Sequence, residues 1–397
     1  HYYMTPEWFA ANAGMYDSYD RKLPQVFVSE FAANQACGKG NLEGAVGESA
    51  FMIGLENNSA VTAMASYAPL FNHEHNREWP VNLIVFDNHR AFGIPSYYAQ
   101  RMFSENRPDV LLPLEYAGPS ETMTLKEGRI GLGAWETAAE YKDIKVTCGD
   151  KVLYEFQPKE GLKGMDRYQG DWEAADGVLR QKSLDTDCVV QFGDHTWTDY
   201  TLTLKARKQA GREGFLILFR AKDKENWHWV NLGGWGNKQH GIEASIRNQQ
   251  ITGYARRDGN IETGVWYDIR VEVQGDDIRV FLNEKPLFEE KERSIDTPGF
   301  KANAGRVSST GEYIIKAANF TDKPYQATVR LNGIPRGVVG VKTQLTAASR
   351  TEENSLDTPN SVVPAIESFS APAPEFPYEF PPCSLTILRV RLRDLEM

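Results

Sequence analysis

The sequence predicts a multidomain, mostly β chain that opens with a short α/β region, and three observations predict it. Residues 1 to about 104 alternate strand-like and helix-like stretches, the pattern of βα units. From about residue 105 the texture changes to short runs of period-2 alternation separated by turn residues, the mark of antiparallel sandwiches. Inside that β region, residues from about 120 to 298 read as a unit of their own.

The stretch around which the first region is organised is Gln25-Val26-Phe27-Val28-Ser29-Glu30-Phe31-Ala32. Leu23 to Val28 is a short apolar run, β-branched and aromatic, that stops at a carboxylate. Such a run reads as a strand buried on both faces. In a parallel α/β barrel the chemistry sits at the C-terminal rim of such strands, which makes Glu30 the first catalytic candidate. The competing reading of Glu30 is a solvated residue that merely ends a strand.

The other elements follow in order. Thr5 and Pro6 open a helix as N-cap and first helical residue. Asn41 to Glu56 reads as a helix, with Gly44, Ala45, Gly47 and Ala50 allowing close packing. Ala60 to Ala68 reads as a second helix ending before Pro69, Leu83 to Phe86 as a strand, and Pro95 to Phe103 as a helix. Two strands cannot close a core alone, so further units are expected before His1. In the β region, strands are predicted at Ile144 to Val146, Tyr200 to Ala206, Gly214 to Phe219, Tyr267 to Val273 and Ile278 to Leu282. Gly275-Asp276-Asp277 is the hairpin turn between the last two. Tyr313 to Asn319 and Gln326 to Leu331 are expected to pair across Asp322-Lys323-Pro324. Residues 352–382 read as loop, and Ser384 to Val390 as a final strand.

Composition narrows the function classes. The chain has 397 residues, 41% of them apolar and 25% charged, as in ordinary globular proteins. A net charge of −10 with no compensating basic face argues against nucleic acid or an anionic membrane as partner. No apolar run reaches the roughly 18 residues of a membrane span. Cys37, Cys148, Cys188 and Cys383 have neither metal-ligand nor redox spacing, so no zinc site and no disulfide framework are expected.

Several clusters could carry chemistry. A glycosidase of the ordinary kind needs two carboxyl groups about the scissile bond. Glu30 can supply one, and no Asn-Glu pair on a second strand end supplies the other. His1 and Tyr3 stand two apart, so on a strand they face the same way. The alternative is a strand that packs its tyrosine against a helix. Trp79 and Asn82 precede an apolar strand, where an indole face beside an amide suits a sugar; the competing and, on composition, preferred reading is a surface loop stitched by Trp79. His73 and His75 lack an acidic or third histidine neighbour, against a metal. Trp227-His228-Trp229-Val230-Asn231-Leu232-Gly233-Gly234-Trp235 offers carbohydrate stacking, although alternation turns half of these side chains inward and makes Trp227 or Trp229 a core residue. Asn57-Asn58-Ser59 and Asn319-Phe320-Thr321 fit glycosylation sequons.

Taken together, several motifs in order resemble the C-terminal end of the catalytic barrel of the family-51 glycoside hydrolases, the α-L-arabinofuranosidases. They are His1-Tyr2-Tyr3 with Pro6-Glu7-Trp8-Phe9, then Val28-Ser29-Glu30-Phe31-Ala32, then Leu42-Glu43-Gly44-Ala45 with Gly54-Leu55-Glu56-Asn57. Ser66-Tyr67-Ala68-Pro69-Leu70-Phe71, Trp79, Phe86-Asp87-Asn88 and Pro95-Ser96-Tyr97-Tyr98-Ala99-Gln100 complete the run. Thr310 to Asn319, Asn354-Ser355 through Val363-Pro364, and Pro381 to Thr386 resemble the accessory sandwich of that family. Gly128 to Gly133 and Ala139 to Ile144 resemble a concanavalin/laminin-G-type jelly roll inserted into it.

The resemblance implies residues 1–104 as the C-terminal remnant of a (β/α)8 barrel, 105–119 and 299–397 as an accessory antiparallel β-sandwich, and 120–298 as an inserted jelly roll. It implies a retaining α-L-arabinofuranosidase acting on arabinan- or arabinoxylan-type glycans, with Glu30 as nucleophile and no metal or other cofactor. His1 and Tyr3 would line the arabinose site, as would Trp79 and Asn82, where the family more often has Trp-Asn-Pro-Asp in place of Trp79-Pro80-Val81-Asn82. The acid/base glutamate belongs to an earlier strand than any here, so this chain alone is expected to be inactive and to need an N-terminal barrel portion. A periplasmic or extracellular location follows by resemblance, and a homo-oligomer is left open. The alternative function is a non-catalytic carbohydrate-binding β-sandwich module.

Overall fold

The computed structural model describes residues 1–247, 249–251 and 253–393. The chain divides into two compact units, residues 1–121 with 296–397 and residues 122–295. The described elements are mostly strands.

The first unit begins with β1 (Tyr2–Met4), α1 (Pro6–Ala11), β2 (Val26–Ala33), α2 (Leu42–Asn57) and β3 (Thr62–Tyr67). The three strands form a parallel sheet in the order β1-β2-β3. Thr5 caps α1 by accepting the Trp8 N–H at 3.2 Å, and Asn41 caps α2 by accepting from the Gly44 N–H at 2.9 Å. Both caps satisfy donors that a helix start leaves unpaired. Every residue of α2 from Leu42 to Leu55 is buried, so the helix is wrapped on all sides. Its glycines permit that. A Cβ on Gly54 would lie 1.7 Å from the Ala13 carbonyl oxygen, and one on Gly47 would lie 2.4 Å from the Pro6 carbonyl oxygen.

The chain continues through β4 (Phe71–His73), β5 (Ile84–Phe86) and β6 (Ala91–Gly93), a small mixed sheet, into α3 (Pro95–Glu105). A six-stranded antiparallel sheet follows. Its order is Ala365–Ala371, Val338–Leu345, Ser384–Leu392, Glu312–Asn319, Phe300–Val307 and Val110–Leu112. One face of this sheet, through Ile314, Ala318, Leu385 and Ile387, joins the core around α2. The other face packs against a two-stranded ribbon of Tyr325–Arg330 and Glu375–Phe380.

The second unit is a sandwich of two eight-stranded sheets. The first has Thr137–Cys148, Tyr200–Gly211, Trp266–Gln274 and Asp277–Leu282 at its centre, and the second has Arg129–Ala134, Phe215–Ala221, Trp227–Gly233 and Gln239–Ile246. Strand Tyr200–Gly211 alternates as predicted, with Tyr200, Leu202, Leu204 and Ala206 buried in the shared core. The turn at Gly275 is a tight hairpin closed by the pair Gln274 and Asp277.

Five expectations are corrected. Thr62–Tyr67 is a strand, not the helix predicted over 60–68, because its backbone pairs in parallel with β2 and that pairing outweighs local preference. Strand β2 does not stop at Glu30 but runs to Ala33, and it is not buried on both faces, since Phe27 is 52% exposed. Glu312–Asn319 and Tyr325–Arg330 do not pair with each other. The link between them crosses from one layer to the other, held by the buried Asn319 amide, which donates to the Lys323, Phe380 and Pro381 carbonyls. That buried, fully engaged amide also makes the sequon at Asn319 a structural corner. Within the predicted loop 352–382 lie two strands, Ala365–Ala371 and Glu375–Phe380. Pro377 is tolerated because each strand of a two-stranded ribbon has a free edge, where a missing N–H is no loss. Finally, His228, Val230 and Leu232 point into the second unit's core, while Trp227 and Trp229 join a small cluster on the opposite face with Val189, Leu216 and Leu218. Register decides this, because Val230 pairs with the core residues Ile217 and Ile242.

Candidate active site

Glu30 is the fifth of eight residues in β2, and parallel pairing sets what stands beside it. Tyr3 on β1 pairs with Ala32. Residues two apart on a strand share a face, so Glu30, Ala32 and Tyr3 face one side. The Tyr3 hydroxyl donates to Glu30 Oε2 at 2.7 Å. His1, on the same face as Tyr3, places Nδ1 3.5 Å from the same oxygen. Phe31, next in the chain, turns the other way and packs against Phe9, Phe51 and Tyr67. Tyr2 likewise turns inward, against Trp8 and Phe51, and shares a hydroxyl contact with Tyr16. The tyrosine that packs on a helix is therefore Tyr2, and the tyrosine on the carboxylate is Tyr3.

Burial, and then the Glu30 carboxylate, push the Tyr3 phenol up to about 12. It stays a proton donor through the neutral range. The Glu30 side chain keeps 40% of its surface open, so the carboxylate is held on one side and accessible on the other. A carboxylate so placed is oriented and reachable.

Trp79 reaches the same place through Tyr3. The two rings are nearly parallel, 6.1 Å between centroids and 10° between planes, and Trp79 is half exposed. Asn82 is buried, and its amide donates to the Trp79 carbonyl at 2.8 Å, fixing the loop that presents the indole. Four of the five residues singled out in sequence, His1, Tyr3, Glu30 and Trp79, are thus linked side chain to side chain, and Asn82 braces the loop of the fourth. His73 and His75 lie against one another at 5.7 Å, and His73 meets the Asn88 side-chain oxygen at 3.3 Å.

Two supporting residues, Gln35 and Glu48, escaped the sequence reading. Gln35 donates to the Tyr3 carbonyl at 2.7 Å and ties the end of β2 to β1. Glu48 on α2 is fully buried and accepts the Ala33 N–H at 2.7 Å, anchoring β2 three residues beyond Glu30. Ser96 and Tyr67 flank that carboxyl group. An acid inside an otherwise small and apolar helix segment was the available signal for Glu48.

Comparison with known proteins places the chain in a family. The family described as "Alpha-L-arabinofuranosidase C-terminal domain" matches residues 14–384. The chain belongs to this family. It is 34% identical over 396 residues to an extracellular exo-alpha-L-arabinofuranosidase of Streptomyces chartreusis, covering 99% of this chain and 47% of that protein. Over 109 residues it is 42% identical to alpha-L-arabinofuranosidase 2 of Arabidopsis thaliana, covering 27% of this chain and 16% of that one. Among solved structures, an arabinose-bound MgGH51 α-L-arabinofuranosidase matches with 17% identity and a TM-score of 0.45, over 98% of this chain and 36% of that one. The chain therefore spans about half the length of the Streptomyces relative and less of the other two. The matched range includes residues of both units.

Proposed function

We propose that this chain carries the nucleophile of a retaining α-L-arabinofuranosidase that releases terminal arabinofuranose from arabinan- or arabinoxylan-type glycans. The observation that carries this reading is the Tyr3 hydroxyl on Glu30 Oε2 at 2.7 Å, with His1 beside it, on adjacent parallel strands. Glu30 attacks the anomeric carbon while the leaving oxygen takes a proton from an acid, giving a glycosyl ester. Water, activated by the same group acting as base, then releases the sugar and frees Glu30. Tyr3 donates to the oxygen that does not attack and fixes the angle of the other. Trp79 offers its exposed face to the apolar side of the sugar ring, with Asn82 holding its loop.

A retaining pair needs its second carboxyl group about 5–5.5 Å from the first. Glu30 Oε2 meets the Tyr3 hydroxyl and His1 Nδ1. We assign the acid/base role to the part of the relatives' length that this chain does not span. On that reading β1, β2 and β3 belong to a (β/α)8 barrel completed by that part, residues 105–119 and 299–397 form the accessory sandwich, and the second unit is an inserted jelly roll.

The test is hydrolysis of an aryl α-L-arabinofuranoside by the chain alone and by the chain supplied with an N-terminal barrel portion of a relative. Activity only in the reconstituted mixture, abolished by Glu30→Ala, is the expected result. Full activity of Glu30→Ala would overturn the assignment of the nucleophile. Activity of the chain alone would overturn the assignment of the acid/base.

A further inference from the structure

The second unit carries an aromatic strip that its core does not use. On strand Trp227–Gly233 the outward residues are Trp227, Trp229 and Asn231, paired across to Ser245, Glu243 and Gly241. Gly241 pairs in turn with Arg256 on the edge strand Arg256–Asp258. The Trp227 and Trp229 rings lie face to face, 3.6 Å between centroids at 15°. Trp229 Nε1 donates to Glu243 Oε2 at 2.8 Å, and the Asn231 amide donates to the same oxygen at 3.3 Å. Arg256 stands 3.9 Å from the other oxygen, Oε1, and stacks on the Trp235 ring at 4.0 Å.

Two features set this strip apart from a solvated sheet face. Trp235 is held at φ 51°, in the left-handed region that a bulky side chain avoids. That backbone lays its indole against the sheet over Gly241, where a Cβ would stand 2.9 Å from the ring. The carboxylate is also oriented without being used up. Both short donors fall on Oε2, which leaves Oε1 with one long contact and free lone pairs. The partly exposed Trp227 and Trp235 rings, the oriented Glu243 carboxylate and the half-exposed Arg256 guanidinium stand in one row, and the buried Trp229 and Asn231 back it, Trp229 stacked under Trp227 and both donating to Glu243. Apolar plates beside in-plane hydrogen-bonding groups match a sugar ring, with its C–H face and its equatorial hydroxyls. The Glu243 and Arg256 charges cancel locally, which suits an uncharged ligand.

We infer that Trp227, Trp235, Glu243 and Arg256, backed by the buried Trp229 and Asn231, form a binding site for a neutral polysaccharide chain, built from residues other than those around Glu30. The inference rests on the proposed function only for the choice of polymer to test. Such a site holds the enzyme on its polymer between cleavage events and raises the local concentration of cleavable branches.

The test is affinity electrophoresis of the whole chain in gels containing soluble arabinoxylan, linear arabinan or, as a charged comparison, polygalacturonate. Retardation by a neutral polymer is expected. Trp227→Ala should weaken it by about tenfold or more, and Trp227→Phe, which keeps a flat ring, should restore most of it. Arg256→Ala, at a half-exposed side chain, should also weaken it and serves if Trp227→Ala does not fold. Glu30→Ala should bind as the parent does. The inference is overturned by absence of retardation in both neutral polymers, by equal retardation in polygalacturonate, by full affinity of a folded Arg256→Ala together with Trp227→Ala, or by loss in Glu30→Ala. Hydrolysis of the aryl arabinofuranoside is measured separately, so the failure of one reading is distinguishable from failure of the other.

Discussion

Replacing Glu48 by glutamine should remove a specific pH dependence of stability from the first unit. Glu48 is fully buried on α2, and burial raises its carboxyl group from the ordinary 4.5 to about 8, against the pull of Ser96, the Ala33 N–H and Tyr67. The folded state therefore binds this proton more tightly than the unfolded state does. The stabilisation is fully present below pH 4.5, declines as pH rises, and is gone above about 8. At about 1.36 kcal/mol per pH unit the difference amounts to roughly 4–5 kcal/mol, an upper figure because local relaxation reduces it. Glu48→Gln keeps an oxygen for the Ala33 N–H but cannot ionise. Hydrogen exchange of the α2 amides reports this unit by itself. Between pH 5 and 9, opening of α2 should become easier by about 4 kcal/mol more in the parent than in Glu48→Gln. Parallel pH curves for the two proteins would refute the reasoning. A flat parent with a sloping variant would reverse its sign.

Further predictions follow from close contacts and buried charge. Tyr3→Phe deletes a hydrogen bond to a partly exposed carboxylate, so kcat/KM of the reconstituted enzyme should fall about tenfold, mainly in kcat, without loss of thermal stability. Gly54→Ala drives a methyl group into the Ala13 carbonyl and should destabilise the first unit by about 3 kcal/mol or prevent its folding, as urea unfolding would show. Lys316 is fully buried over Phe103 and paired with Glu56 at 2.5 Å, and burial holds its ammonium below the ordinary lysine range. Glu56→Ala should therefore cost about 3–5 kcal/mol, whereas Glu56→Ala combined with Lys316→Met should recover most of it. An aromatic disulfide reagent should titrate Cys148 alone in the native chain. Cys37, Cys188 and Cys383 are buried, and burial pushes the Cys383 thiol up to about 12.

Local chemistry made part of the molecule legible from the residues. Thr5-Pro6 and Asn41 announce their helices because capping depends on a few neighbouring atoms. The hairpin at Gly275 and the alternation of Tyr200–Gly211 are equally local. The same holds for His1 and Tyr3 sharing a face, since the period of a strand is fixed by its pleat. What lay beyond the sequence is whatever depends on a distant partner. Thr62–Tyr67 became a strand because β2 offered it a ladder, and Tyr325–Arg330 found Glu375–Phe380 rather than its neighbour in the chain. Alternation could say that half of the Trp227–Trp235 stretch faces inward, but not which half, because shifting register by one residue exchanges the faces and only Ile217 and Ile242 across the ladder fix it. The sequence alone marked Glu30 as the carboxylate that follows a conspicuous apolar run and placed His1 and Tyr3 on one face of a strand. Tertiary structure decided that Tyr3 and not Tyr2 meets it, that Trp79 joins them from a distant loop, and that Glu48 anchors the strand from behind. Those contacts span many residues of chain, and only the folded packing brings them within bonding distance.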